Sequence, residues 1–262
     1  MRSRGVWCIL AAVASVAGMV HLAPAPEARA GRVPVIAPLV LAVVPREPVY
    51  SESLEFDGPA LYESTGLAGK SQLRQVDPST GQVLRSVDLP PTFFGEGITV
   101  VGEQIWQLTY ENGVAIAWDK ASFTPVRQVA VDGQGWGLCR DGNRLIRSDG
   151  GDRLRFHDIN TFAETGGVTV TRDGQPVGGL NDLECVGGQV WAAAWPTDQF
   201  VRVDPATGVV NLVLDASNLW RSRERRTSQL LSGIAHFAGD EFLISAKDWP
   251  EFFRVRVDQS LP

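Results

Sequence analysis

Apolar residues along this chain fall in short runs punctuated by Gly, Pro, Asp and Asn, with little at helical spacing. The runs repeat. Aligning Leu54, Ile98, Leu138, Leu183 and Ile234 gives spacings of 44, 40, 45 and 51 residues, a period near 45. Seven residues after each of the first four a second apolar run begins, at Leu61, Ile105, Leu145 and Val190; the fifth copy slips by one, to Phe242. Gly-containing turns separate the two runs, at Asp57-Gly58, Val101-Gly102, Asp141-Gly142, Gly187-Gly188 and Ala238-Gly239, so each pair reads as a β-hairpin. A third element ending in Asp follows, at Asp77, Asp119, Asp158, Asp204 and Asp258. Four copies then carry a fourth strand, over 82–87, 125–131, 167–171 and 209–214.

Five copies of a four-strand unit predict an all-β, five-bladed β-propeller with four antiparallel strands per blade. The fifth copy ends before its outer strand. The run LVLAVV at 39–44 has no other partner and is expected to supply that strand, closing the ring from the N-terminal side. A β-sandwich is the structural alternative, but it would not give one period through five copies. The segment 215–230, with its Arg221 to Arg226 charge run, is an insert between blades four and five that reads as a solvated loop.

The first 30 residues stand apart. Arg2 and Arg4, an apolar run over 6–20 and Ala28-Arg29-Ala30 read as a secretory signal peptide, and the run is short for a stable membrane span. Residues 31–38 then form a flexible lead-in, and 39–262 a single propeller domain. Cleavage after Ala30 removes three cationic side chains and one anionic one, taking the net charge from −6 to −8. An acidic, exported protein is a poor partner for nucleic acid. Cys139 and Cys185 remain, free to form one disulfide in an oxidising compartment or to stay as two buried thiols. Only His157 and His236 remain after cleavage, neither at metal-ligand spacing, so a His-built zinc site is not expected.

In a propeller, the residues entering the first strand of each blade ring one mouth of the central channel. Here these are Tyr50 and Glu52, Phe94 and Glu96, Trp136, Asn181 with Asp182, and Ser232. The ends of the second strands reach the same mouth and add Tyr110, Trp195 and Lys247. Aromatic walls with a few convergent polar groups are the usual make-up of a small-ligand pocket. Glu96 sits between Gly95 and Gly97, which would let the backbone turn and a ligand approach. Desolvation there should raise its pKa towards neutrality and suit it to proton transfer. Trp106, Trp118 and Trp191 lie inside strand patterns and read as core. Lys247 beside Asp248 also reads as half of a surface ion pair.

These motifs resemble a known family. YESTGLAGKSQLRQVDPSTGQV (62–83), FGEGIT (94–99), QLT (107–109), GWGL (135–138), SDG (148–150), LNDLE (180–184), W-x-TD (195–198) and K-x-WP (247–250) stand in the order seen in plant and bacterial glutaminyl-peptide cyclotransferases, from about Val43 to Asp258. The resemblance implies a five-bladed propeller and an acyltransferase that cyclises N-terminal glutamine of peptides to pyroglutamate, releasing ammonia. It implies Glu96 as the acid/base, Lys247 as a second catalytic group, and Tyr50, Glu52, Phe94, Tyr110, Trp136, Asn181 and Trp195 as substrate-binding residues. It requires no cofactor; a structural cation held by carbonyls in the central channel is compatible with it. Where the family carries Phe-Thr-Gln-Gly-Leu, this chain has Tyr50-Ser51-Glu52-Ser53-Leu54; Tyr110, Gln134 and Ser232 also depart from the pattern. Two rival readings stand beside it: a non-catalytic propeller binding peptide N-termini or small ligands, and a metal-dependent lactonase-type hydrolase that a chelator would silence.

Overall fold

The computed structural model describes residues 32–220 and 229–258. The signal-peptide reading of 1–30 and the arginine run at 221–226 lie outside the described residues.

The described chain is a ring of five antiparallel sheets, each a meander from the axis outward. Blade one is Ser51–Asp57, Ala60–Thr65, Gln72–Val76 and Val83–Asp88; blade two is Gly95–Val101, Gln104–Thr109, Val114–Asp119 and Pro125–Ala130. Blade three is Leu138–Asp141, Arg144–Arg147, Arg153–Asp158 and Glu164–Thr169, and blade four is Leu180–Val186, Gln189–Ala194, Gln199–Val203 and Val210–Asp215. Blade five has Leu231–Ala238, Glu241–Ala246 and Glu251–Arg256 from the C-terminal side. Leu39–Pro45 is its outer strand, paired antiparallel from Leu39↔Arg256 to Pro45↔Glu251. The expected ring closure is thus present.

A buried clasp completes it: Arg46 Nη2 lies 2.6 Å from Glu63 Oε1, both side chains almost wholly buried, and the guanidinium covers the Phe252 ring at 4.2 Å. The clasp ties the segment after the blade-five outer strand to the second strand of blade one.

The turns after the third strands form for a local reason. Asp77, Asp119 and Asp158 each accept backbone N–H groups two or three residues on, from Ser79 at 2.7 Å, Ser122 at 2.8 Å and Thr161 at 2.8 Å. Gly81 and Gly208 close these turns in blades one and four with positive φ. Blades two and three use Phe123 and Phe162 at φ 57° and 64°, a costly backbone state offset by burying both rings.

Two expectations are corrected. The lead-in is not free throughout: Val35–Ile36 adds a parallel strand to the outer edge of blade four, because Val33 and Ile36 have apolar surface to cover between blades and Pro34 O accepts Val213 N–H at 2.9 Å. The outer strand of blade three starts earlier than residue 167, and the chain beyond it forms a small extra hairpin, Thr171–Arg172 with Gln175–Pro176. The cysteines resolve in favour of the bond: Cys139 and Cys185 form a disulfide joining the inner strands of blades three and four. Trp106, Trp118 and Trp191 are core, as read.

Candidate active site

The inner strands share one irregularity. Pairing with the second strand slips between Ser51 and Ser53, Gly95 and Ile98, Leu180 and Leu183, and Leu231 and Ile234. In blade three the inner strand begins only at Leu138. Each slip falls just before the aligned apolar residue, and a bulge frees a residue from the pleat and re-aims it. The residues two places before the repeat position are Glu52, Glu96, Trp136, Asn181 and Ser232. The residue one past the second strand contributes a second ring: Gly66, Tyr110, Ser148, Trp195 and Lys247.

A cavity of about 350 Å³ lies between these rings, lined by Tyr50, Phe94, Glu96, Tyr110, Trp136, Asn181, Trp195 and Lys247. Its wall is a continuous aromatic arc. Ring centroids run Tyr50–Phe94 6.0 Å, Phe94–Tyr110 5.7 Å, Tyr110–Trp136 6.0 Å and Trp136–Trp195 5.8 Å. Lys247 Nζ closes the arc 4.8 Å from the Tyr50 ring centre. Trp136 Nε1 donates to Gln134 Oε1 at 3.0 Å, and Gln134 Nε2 donates to Glu111 at 2.9 Å, so this indole is fixed in place and its N–H is already used. Gly66 makes room: a Cβ there would run into the Phe94 ring and lie 2.9 Å from Glu52 Oε1.

Glu96 is 5% exposed, and its Oε2 finds no hydrogen-bond partner among the described residues. Asn181 Oδ1 is in the same condition. Burial, then the negative charge of Glu52, holds the Glu96 carboxyl well above the usual carboxylate range, against the pull of Lys247. The expected upward shift is therefore found. The expected role of the flanking glycines is revised. Neighbouring backbone, not a ligand, needs the space: a Cβ on Gly97 would sit 2.6 Å from Leu138 N, and one on Gly95 2.7 Å from Thr65 O.

Glu52 sits behind the cavity wall rather than on it. It is 1% exposed, and both its carboxylate oxygens contact Lys247 Nζ, Oε1 at 2.9 Å and Oε2 at 2.7 Å. The surface pairing of Lys247 with Asp248 is thereby replaced by a buried one. Burial raises Glu52 to about 7 and the ammonium opposes that rise. Burial also acts to lower the Lys247 pKa, but Glu52 and Glu96 outweigh it and hold the ammonium above its ordinary range. The two shifts favour opposite charge states at one contact; with the ammonium so firmly protonated and the oxygens so close, the pair is ionised near neutral pH.

Other residues from the expected mouth serve the frame. Asp182 turns into the channel and accepts N–H from Ile234 at 3.0 Å and Leu54 at 3.5 Å, joining blade four to blades five and one. Ser148 Oγ accepts Gly137 N–H at 2.8 Å and donates to Asn181 O at 2.9 Å, setting the Trp136 and Asn181 backbones against each other. Ser232 is fully buried and outside the cavity lining. Among the described residues, no group of three or more His, Cys, Asp or Glu side chains is placed to hold a metal ion.

Comparison with known proteins places this geometry in a lineage. The chain is 33% identical to a glutaminyl cyclase of Myxococcus xanthus whose crystal structure superposes with a TM-score of 0.80, over 86% of this chain and 97% of that one. It is 32% identical over 228 residues to a glutaminyl-peptide cyclotransferase of Arabidopsis thaliana, covering 84% of this chain and 71% of that protein. A family profile described as glutamine cyclotransferase matches residues 11–257, and the chain belongs to that family.

Proposed function

We propose that this protein is a glutaminyl-peptide cyclotransferase, converting the N-terminal glutamine of peptides to pyroglutamate with release of ammonia. The observation that carries the reading is one buried, proton-retaining carboxylate, Glu96, on the floor of an aromatic cavity that also holds Asn181 and Lys247. The similarity to a glutaminyl-peptide cyclotransferase and to a glutaminyl cyclase supports it.

The chemistry follows from the groups present. The substrate's neutral α-amine attacks its own side-chain amide carbon, forming a C–N bond. The Glu96 carboxylate takes the proton this nitrogen sheds and passes it to the amide nitrogen, whose bond to carbon then breaks and which leaves as ammonia. A raised pKa makes Glu96 a stronger base for the amine and keeps it a competent acid for the poor leaving group. The tetrahedral oxyanion is stabilised by Asn181 Nδ2 and by the Lys247 N–H that Glu52 does not occupy. Trp136, Trp195 and Phe94 fold the flexible glutaminyl end so that amine and carbonyl meet, which removes much of the entropic part of the barrier. No step calls for a cofactor. Action after export, following removal of residues 1–30, belongs to the same proposal.

The test is incubation of the purified protein with a Gln-initiated peptide and its Asn-initiated counterpart, following ammonia and peptide mass. The expected outcome is loss of 17 Da, the mass of ammonia, from the Gln peptide alone. An unchanged mass alongside measurable peptide binding would favour the non-catalytic reading.

A further inference from the structure

Lys247 is the cation of the cavity, yet it is not given to Glu96. Its ammonium donates to Glu52 Oε1 at 2.9 Å and lies 2.7 Å from Glu52 Oε2 as an ion pair, while the Glu96 Oε2 has no partner among the described residues. Glu52 enters from the inner strand of blade one and Lys247 from the end of the second strand of blade five. Both are buried, so their charges are weakly screened and felt at Glu96. The remaining charged group facing Glu96 is Asp182, from the inner strand of blade four; blade three presents only the uncharged Trp136. Glu96 thus faces a cation already neutralised by one carboxylate, and a second carboxylate beyond.

We infer that Glu52 is a positioning residue: by holding the Lys247 ammonium it withholds that charge from Glu96 and sets the pH range over which Glu96 accepts a proton. The inference rests on the cyclisation reading of the cavity and adds to it a residue that touches no substrate. The sign is fixed by electrostatics. Without the Glu52 charge, Glu96 loses a repelling anion and gains an uncompensated ammonium; both changes favour its ionised form. The Glu96 pKa falls, and the acid-side limb of the rate profile moves with it.

The test pairs Glu52→Gln, which keeps the shape and a hydrogen-bond acceptor, with Glu52→Asp, which keeps the charge. The pH dependence of kcat and of kcat/KM is measured with a Gln peptide. In parallel the Glu96 carboxyl carbon is titrated by NMR in protein labelled with 13C-glutamate, assigned through E96Q. In E52Q the acid limb and the Glu96 titration both move down by about one pH unit or more, while E52D stays near wild type. Two results would each overturn the inference: E52Q titrating with wild type, or E52D shifting as far as E52Q. If the wild-type protein releases no ammonia, the proposed activity fails, and the NMR titrations still decide the role of Glu52. If E52Q does not fold, Glu52→Asn, equally uncharged and smaller, carries the same expectation and the same overturning result.

Discussion

At the scale of single residues, the site depends on an acid that no neighbour neutralises. Glu96→Gln keeps the volume and one hydrogen-bonding oxygen but cannot carry a proton. Its turnover should fall by about 10²-fold or more, with an unchanged circular dichroism spectrum and a binding constant for a Gln peptide within a few-fold of wild type. A loss of binding together with rate would instead make Glu96 a substrate anchor. Glu96 was legible in the chain because FGEG is local: its glycines and its position before a strand are contiguous. The pairing of Glu52 with Lys247 was not, since 195 residues separate them and the nearer Asp248 offered a simpler partner. Tyr50, Phe94, Tyr110, Trp136 and Trp195 were legible as a group, because the repeat alone assigns them to the same end of the barrel axis.

At the scale of elements, the repeated bulge is what turns an ordinary inner strand into a source of site residues. The sequence placed these residues at the mouth by counting from the aligned apolar positions, but the bulge itself left no signal, since adding residues at a strand's entrance does not change the period. What does leave a signal is glycine, for a reason the sequence could not state. Gly97 and Gly137 are small because the next blade's backbone presses on them; a Cβ on Gly137 would collide with Asn181 O. Gly97→Ala should therefore destabilise the protein by roughly 1–3 kcal/mol and lower activity by displacing Glu96. Gly178→Ala meets nothing within 4 Å and should change stability by no more than about 0.5 kcal/mol. Urea denaturation of the two variants side by side checks this; equal midpoints would mean that the inner strands yield more easily than the spacing implies.

At the scale of the whole molecule, ring closure and buried charge set stability. Replacing Arg46 by Met removes the cation of the clasp and leaves Glu63 buried and unpaired, which should cost about 3–5 kcal/mol; the unfolding midpoint of R46M measures it, and a restoring effect of Glu63→Gln in the R46M background would show that the stranded charge is the cause. The pH dependence has a definite direction. Burial holds five carboxyls above their unfolded values, Glu52 at about 7, Glu55 at about 8, and Glu96, Asp182 and Glu184, so these groups bind more protons folded than unfolded. The stability they contribute is complete below about pH 4.5 and is lost as pH rises through their folded values. The turn carboxylates Asp77, Asp119 and Asp158, held low by hydrogen bonds from Ser79, Ser122 and Thr161, act at the other end, losing their contribution as pH falls below about 4. His157, held low by burial, opposes the carboxyls near pH 6, one group against five. Melting temperatures should peak near pH 5 and decline towards pH 8, with a shallower decline in E96Q. The ring closure also has a consequence in time. Leu39–Pro45, an apolar strand with six of its seven residues exposed, leaves the ribosome long before Glu251–Arg256, the only neighbour it hydrogen-bonds in the described sheet. Until that partner is made, four finished blades stand open like an unlatched bracelet, and the nascent chain must be kept from the strand edges of other copies. A strand made near the start of the described chain is locked only once the last one has been made.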